Sequence, residues 1–470
     1  MRRREVAQVA RIKIVEHDHP VAVVEQPPGD VGPDEPRAPG DHDALLACWL
    51  LQIAHPCSKL IVKRISKTDV QGYHCSSAPD QSYNLRVSKP AGIYIHIPFC
   101  ARKCTYCNFN TTDYYDDLAA SYVEAVAKEI GWWGERTGRI AIDTIFFGGG
   151  TPSIVEARHL DLLARACRSS FDVAGDVEIT IEINPGTLSE ERVAGWRESG
   201  INRASVGVQS FSDRELVSLS RTHSVGEARG TVAALRRAGF DNISLDLIAG
   251  LPGQTLADWG FNLREALELG VEHLSLYLLE VKEGTQMYSQ IKRGALERPD
   301  DDLAAEMYRM ICDGTGRAGY EHYEISNFAL SVAGEPGRFR SKHNMKYWTA
   351  TPFYGMGCGA HSYDGRARWV NIKKTESYID SVRATGQAIA ERNELSDRDR
   401  AADALFMGLR LTEGIRLDEF QKEFGLDVMA RYGDEIGRLE DAGLIETGER
   451  RLRLTASGRL LSNEVFVTFV

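Results

Sequence analysis

Residues 93–107 join an apolar strand to a cysteine loop and read Ile-Tyr-Ile-His-Ile-Pro-Phe-Cys-Ala-Arg-Lys-Cys-Thr-Tyr-Cys. Cys100, Cys104 and Cys107 follow the strand in the spacing CxxxCxxC. A 4Fe–4S cubane held by three thiolates keeps one iron open to a small molecule. A structural zinc site would need a fourth Cys or His nearby, whereas the next cysteine is Cys167, and three thiols cannot all pair in disulfides. The spacing therefore favours a 4Fe–4S cluster, with zinc or unligated thiols as the alternatives.

Composition and charge limit the class of protein. A chain of 470 residues with 43% hydrophobic content can bury one large core and a smaller domain. The net charge of −11, with no basic run beyond residues 2–4, argues against a nucleic-acid partner. Nine cysteines without a disulfide-like framework indicate a reducing, cytoplasmic setting. The apolar run 44–54 is too short for a transmembrane segment and starts too late for a signal peptide.

Residues 1–90 differ from the rest of the chain. Proline and glycine are concentrated in the acidic stretch 27–40, which disfavours helix and strand. No sustained hydrophobic periodicity follows it. The composition predicts a disordered N-terminal extension.

From residue 91 to 300 the chain alternates strands with amphipathic helices. Six such units in series predict an α/β fold with a parallel sheet, namely a partial (β/α)6 TIM-like barrel whose site lies at the carboxyl ends of the strands. The predicted strands are 93–97, 142–148, 177–183, 202–208, 243–248 and 273–278. The predicted helices are 113–133, 154–170, 188–199, 225–238 and 256–269.

Two further regions follow the barrel. Residues 301–394 predict an α+β extension that completes the core. Residues 395–470 predict three helices, near 397–411, 416–425 and 427–442, and a β-hairpin with its turn at Gly448. This pattern is typical of a small winged-helix-like domain. Because the chain is acidic, we interpret it as a structural cap without nucleic-acid duty.

Polar and glycine residues recur at the predicted strand ends. Glycines there let a ligand approach the backbone, a carboxylate suits ribose hydroxyls or an ammonium group, and an arginine suits a carboxylate. S-adenosylmethionine (SAM) carries an amino group, a carboxylate, a ribose and an adenine, so this set offers a partner for each polar part. A structural ion pair at Arg221 is the alternative for that residue. The set comprises Gly149, Gly150, Thr151, Glu182, Gln209, Arg221 and Asp246.

Several motifs in series resemble the oxygen-independent coproporphyrinogen III oxidase superfamily of radical SAM proteins, over about residues 91–470. True oxidases carry a fourth cysteine two places after the third, where this chain has Phe109. The run from Ser341 to Trp348 instead resembles the HNxxYW signature of the radical SAM heme chaperones (HemW-like). The other matching motifs are Tyr94-Ile-His-Ile-Pro-Phe-Cys100, Gly148-Gly-Gly-Thr-Pro-Ser153, Glu182-Ile-Asn184-Pro185, Gly207-Val-Gln-Ser-Phe211, Leu245-Asp-Leu-Ile-Ala-Gly-Leu-Pro252 and Tyr323-Glu-Ile-Ser-Asn-Phe-Ala329.

The resemblance implies cofactors and partners. Cys100, Cys104 and Cys107 would hold the 4Fe–4S cluster, and Tyr94 would join the strand-end set in the SAM pocket. Heme would be bound and delivered to heme-requiring respiratory proteins, without decarboxylase activity and with an electron donor of unknown identity. The alternative within the superfamily is an oxygen-independent coproporphyrinogen III oxidase.

Two histidines are candidate heme contacts. His343 lies in the HNMKYW run among basic and aromatic residues, and imidazole is a common axial ligand of heme iron. His361 follows a glycine-rich stretch and is its main competitor. A histidine hydrogen-bonded within the fold is the alternative for each.

Overall fold

The computed structural model describes residues 89–469. The predicted N-terminal extension, residues 1–90, therefore lies almost wholly outside the described residues. The strands along the chain are β1 (Ala91–Ile97), β2 (Phe99–Cys100), β3 (Thr112–Asp113), β4 (Ala141–Gly149), β5 (Asp172–Ile183), β6 (Arg203–Gln209), β7 (Ile243–Ala249), β8 (His273–Leu278), β9 (Tyr320–Glu324), β10 (Asn327–Leu330), β11 (Phe353–Met356), β12 (His361–Tyr363), β13 (Ala367–Asn371), β14 (Ile389–Glu394), β15 (Ile415–Arg416), β16 (Ile445–Gly448) and β17 (Arg451–Leu454).

The α-helices alternate with these strands. They are α1 (Asp116–Arg136), α2 (Ala157–Ser170), α3 (Glu190–Glu198), α4 (Asp213–Ser218), α5 (Val225–Arg237), α6 (Leu256–Glu268), α7 (Gln286–Lys292), α8 (Asp301–Arg317), α9 (Lys342–Trp348), α10 (Thr375–Thr385), α11 (Asp397–Gly408), α12 (Leu417–Phe424), α13 (Val428–Asp441), α14 (Ala456–Leu460) and α15 (Ser462–Phe466). Within residues 89–469, no helix combines the length and apolarity that a membrane span needs.

One large sheet organises the described residues. Its twelve strands lie in the order β14-β13-β12-β11-β1-β4-β5-β6-β7-β8-β10-β9. The pairs from β1 through β8 are parallel, as the six predicted βα units require. Short antiparallel strands extend both edges. The α/β prediction is confirmed, and all six predicted strands are present.

The inner strands are buried on both faces, which explains their nearly continuous apolar sequences. In β1 every residue except Tyr94 is buried, and Tyr94 is partly buried. Helix α1 packs beside β11, α2 packs beside β5, and the two helices contact each other. Val126, Ile130 and Leu163 are buried in the same core as β1. Burial of this apolar surface is the main force that holds the helices on the sheet.

β11 is a seventh parallel strand that the sequence analysis did not predict. It pairs with β1 from Gly92↔Phe353 to Ile95↔Met356. Its carboxyl end therefore lies beside the end of β1, which leads into the cysteine loop. Residues 357–360, called the glycine loop below, follow β11 at this point.

The C-terminal region contains α11, α12 and α13 and a three-stranded sheet in the order β15-β17-β16, as expected for a winged-helix-like module. The predicted turn position was wrong. Gly448 pairs with Arg451 in the ladder, so the turn consists of Glu449 and Arg450, which have φ of 51° and 60°. Two-residue hairpin turns of this kind need positive φ at both positions. The predicted boundaries at 300 and 394 remain predictions.

Candidate functional site

The cysteine loop (residues 100–107) begins at the end of β2, shortly after β1, and hydrogen bonds hold it in place. The amide N of Thr105 donates to Leu219 O (3.1 Å), and Thr105 O accepts from the amide N of Met287 (2.8 Å). The amide N of Cys107 donates to Cys104 O, closing a tight turn (3.2 Å). The loop is thus fixed between the residues that follow α4 and the start of α7.

All three cysteines of the loop are partly buried and free of disulfides. The Sγ of Cys100 lies 3.5 Å from Thr151 Oγ1, which joins the loop to the glycine run at the end of β4. Burial, and then the neighbouring Cys104 and Cys100, raise the pKa of the Cys107 thiol to about 11. Bound iron deprotonates such thiols, since a coordinating metal offsets the thiolate charge. The thiols therefore fit an iron–sulfur cluster.

Within residues 89–469, no group of three His, Cys, Asp or Glu side chains is arranged to hold one metal ion. The choice between a 4Fe–4S cluster and zinc at the three cysteines remains a prediction.

Arg221 extends towards the cysteine loop. Its Nη2 donates to Gly207 O (2.6 Å) and Asn184 Oδ1 (3.2 Å), and its Nη1 lies 3.6 Å from Cys104 Sγ. Its Nε is buried and has no hydrogen-bond partner in the described residues. The acceptors are neutral, so the ion-pair alternative finds no support in this part of the chain. The guanidinium can bind an anionic ligand beside the cysteine loop.

Glu182 and Asp246 place two carboxyl groups between the strands. Glu182 Oε2 accepts from the amide N of Gly149 (3.0 Å), and Asp246 accepts from Ser205 Oγ (3.2 Å). Burial, and then the charge of Asp246, raise the pKa of Glu182 to about 8. Burial raises the pKa of Asp246 to about 6. Both carboxyl groups therefore hold a proton to higher pH than exposed carboxyl groups do.

The glycine run at the end of β4 has a packing role that was not predicted from the sequence. A Cβ on Gly149, whose φ is +117°, would lie 2.6 Å from the ring of His96. A Cβ on Gly150 would lie 2.7 Å from the backbone of Pro98. The amide N of Gly150 donates to Ile97 O (2.8 Å), so these glycines bring the end of β4 against the chain that enters the cysteine loop.

Tyr94 and Gln209 lie on the inner strands of the same sheet. The Tyr94 hydroxyl hydrogen-bonds His96 Nδ1 (3.0 Å), and burial raises its pKa well above the usual value. Gln209 ends β6 with φ of +67°, an uncommon conformation for a residue other than glycine. Such strained positions cluster at ligand sites. The SAM roles of both residues remain predictions.

His343 is held within the fold. Its side chain is 1% exposed, and its ring nitrogens hydrogen-bond Thr144 Oγ1 (2.8 Å) and the Tyr347 hydroxyl (2.9 Å). Burial lowers its pKa to about 3. Both ring nitrogens are thus engaged within the fold, and the contact of His343 with heme remains a prediction. The structure supports the alternative stated for this residue, a hydrogen-bonded histidine of the core.

His361 begins β12 and is partly buried. Burial, and then the charges of Lys373 and Arg368, lower its pKa to about 3, so the imidazole is neutral at physiological pH. A neutral imidazole is the form that binds metals. Its contact with heme remains a prediction.

Two histidines of the site escaped the sequence analysis. His96 Nε2 bonds Asn110 O (2.8 Å), which connects β1 to the chain after the cysteine loop. His223 bonds Asn184 Oδ1 (3.0 Å) and Val208 O (3.1 Å), and so orients an acceptor of Arg221. The only sequence signals were the position of His96 inside the Tyr94–Cys100 motif and that of His223 two residues after Arg221. Polar contacts between distant strands leave no local pattern.

Comparison with known proteins shows the family to which the chain belongs. A profile of the Radical SAM superfamily matches residues 94–265, and one of the HemN C-terminal domain matches residues 395–461. The heme chaperone HemW of Bacillus subtilis is 36% identical over 381 residues, which are 80% of this chain and 98% of that protein. The chain belongs to the HemW heme chaperone family.

Two further similarities extend the comparison. The mitochondrial radical S-adenosyl methionine domain-containing protein 1 of Bos taurus is 32% identical, over 82% of this chain and 88% of that protein. The structure of coproporphyrinogen III oxidase (HemN) from Escherichia coli, described there as a radical SAM enzyme, superposes with a TM-score of 0.70 at 24% identity. That match covers 81% of this chain and 90% of HemN and supports the fold.

Proposed function

We propose that this protein binds heme and delivers it to heme-requiring proteins, and that it carries a 4Fe–4S cluster with SAM at the ends of the parallel strands. The observation that carries the proposal is the alignment with a heme chaperone over 98% of that relative's length. The heme-requiring respiratory proteins and the electron donor predicted from the family resemblance are part of this proposal, as is a reducing cytoplasm.

The residues of the site have defined roles in the proposal. Cys100, Cys104 and Cys107 hold the cluster, and Arg221 neutralises negative charge beside Cys104. The carboxyl groups of Asp246 and Glu182 bind hydroxyl or ammonium groups of SAM. When bound, the cluster and SAM supply one-electron cleavage of the SAM sulfonium bond.

Phe109 separates this proposal from the oxidase alternative. It occupies the position of the oxidases' fourth cysteine, and its side chain is 55% exposed. A phenylalanine offers neither a thiolate nor a proton. The site therefore lacks a group that the oxidase motif contains.

An anaerobic assay with coproporphyrinogen III tests the proposal. Reconstituted protein, SAM and dithionite are incubated with the porphyrinogen, with E. coli HemN as the positive control. We expect no protoporphyrinogen from this chain while HemN forms it. Product formation at a rate similar to that of HemN would establish the oxidase alternative instead.

A further inference from the structure

The chain that leaves the last cysteine of the loop is tied down at Asn110. Asn110 Nδ2 donates to Lys373 O (2.9 Å) and to Cys358 O (3.2 Å). Asn110 O accepts from His96 Nε2 (2.8 Å). We propose that Asn110 is a positioning residue that docks the cysteine loop on the glycine loop and so sets the geometry of the cluster. This inference rests on the proposed presence of that cluster.

The glycine loop is shaped to receive the amide of Asn110. A Cβ on Gly359 would lie 2.8 Å from Asn110 Nδ2. Gly359 also has φ of +68°, which residues with a side chain rarely adopt. Glycine at this position therefore permits both the backbone turn and the close approach of the amide.

Two side chains of α1 hold the glycine loop in place by hydrogen bonds. The amide N of Cys358 donates to the Tyr122 hydroxyl (2.9 Å), which itself donates to His96 O (2.7 Å). Glu129, which is fully buried, accepts from the amide N of Gly357 (2.8 Å). Tyr122 and Glu129 lie seven residues apart, on one face of the helix.

Glu129 is fixed in turn by its other partners. Its carboxylate accepts from Asn371 Nδ2 (2.7 Å) and from the Tyr378 hydroxyl (2.6 Å). Asn371 Nδ2 also donates to Gly357 O (3.0 Å), so both polar groups of Gly357 are engaged. Within the described residues, only Asn371 Oδ1 of this buried network has no hydrogen-bond partner, and a network with so many bonds is rigid. These hydrogen bonds hold the glycine loop in one position. Asn110 in turn fixes the position of the cysteine loop relative to the glycine loop.

Four variants test this role, in two matched pairs. Asn110→Ala removes both N–H donors of the side-chain amide. Its control is Asn108→Ala, which changes an exposed asparagine of the same segment. The side chain of Asn108 makes no hydrogen bond within the described residues. Gly359→Ala forces a side chain against Asn110. Gly365→Ala adds the same strain at φ of +94°, but its nearest neighbour, Pro352, is 3.8 Å away.

The measurements are iron loss from the anaerobically reconstituted cluster to a ferrous chelator, and the electron paramagnetic resonance of the reduced cluster with and without SAM. We expect Asn110→Ala and Gly359→Ala to lose iron about five- to thirtyfold faster than wild type, since each lost hydrogen bond typically changes an opening equilibrium about fivefold. In these two variants, the change that SAM causes in the electron paramagnetic resonance of the reduced cluster should differ from the change in wild type. Asn108→Ala and Gly365→Ala should match wild type.

The outcomes separate this inference from the proposed function. If wild type assembles a cluster but Asn110→Ala loses iron no faster than Asn108→Ala, Asn110 has no positioning role and the proposed function stands. If wild type assembles no cluster, the proposed cofactor set is wrong and this inference falls with it.

Discussion

At Arg221 a guanidinium lies beside the cysteine loop with no carboxylate partner in residues 89–469, and its Nε makes no hydrogen bond there. A buried charge without a counter-ion is costly. In the proposed function, this charge is matched by an anion that arrives with the cofactors, either the cluster thiolates or the carboxylate of SAM.

Arg221→Ala should weaken SAM binding by about 1.5–3 kcal/mol, the usual range for a lost hydrogen bond to a charged group. Anaerobic calorimetry on the reconstituted protein measures this change. Arg236→Ala is the matched control, because Arg236 bonds Phe240 O and Glu272 at the opposite end of the sheet. Equal SAM affinity in both variants would assign Arg221 a purely structural role.

Glu182 should make stability depend on pH. Its pKa is raised to about 8 in the folded protein, above the ordinary value of 4.5, so the folded state binds a proton that the unfolded state has released. This contribution is complete below about pH 4.5 and is lost as pH rises through about 8. Glu182→Gln, which mimics the protonated form, should therefore gain about 2–6 °C in Tm relative to wild type between pH 5 and pH 8.5.

Thermal unfolding of the two proteins at a series of pH values measures the difference. Glu272→Gln, a carboxylate that pairs with Arg236 away from the site, is the control and should show no such gain at high pH. A constant Tm difference between Glu182→Gln and wild type would contradict a raised pKa at Glu182.

At the scale of single elements, helix α9 is attached to the large sheet at β4. His343 connects Thr144 of β4 to Tyr347 of the same helix, and its ring stacks on Phe146 with 5.1 Å between ring centroids. The helix that carries the HNMKYW run is thus tied to β4 by a buried imidazole.

His343→Ala should destabilise the protein by about 1–3 kcal/mol, because it leaves two buried hydroxyls without their partner. The Soret spectrum of added hemin should stay the same as in wild type. Chemical unfolding and hemin titration of one preparation measure both effects. A changed Soret band with unchanged stability would instead make His343 a heme ligand.

The elements predicted from sequence are those with a strong local period. β1 and the five parallel strands after it are apolar runs bounded by turn residues, and their helices are amphipathic, so both could be located. β11 could not, because Phe353–Met356 is four residues long and contains Gly355. The contacts of Asn110 and Glu129 join residues more than 200 positions apart, and no local pattern reports such pairing.

At the scale of the whole described structure, a buried ion pair attaches the C-terminal region to the sheet. Arg410 lies 3.4 Å from Glu324 at the end of β9, and its guanidinium stacks 4.5 Å above the ring of Trp348. Thr412 N donates to Tyr323 O (3.1 Å), which adds a backbone link. Removing one member of a buried pair leaves the other charge uncompensated.

Arg410→Ala should therefore lower stability by about 3–5 kcal/mol. Limited proteolysis should also cut earlier near residues 395–412 than in wild type. Arg438→Ala, which removes an exposed pair with Glu435, should cost less than about 1 kcal/mol. Equal effects of the two substitutions would show that the Arg410 pair does not hold the C-terminal region in place.

Hemin titration of the reconstituted wild-type protein, followed by the Soret band, tests the central claim most directly. A heme chaperone should bind hemin at a saturable site and then release it to a heme-free acceptor, for which apomyoglobin serves as the probe. We expect a saturable Soret shift, and a rate of transfer that rises with apomyoglobin concentration. A spectrum that never saturates, or hemin that stays with the protein at every apomyoglobin concentration, would contradict the assignment as a heme chaperone.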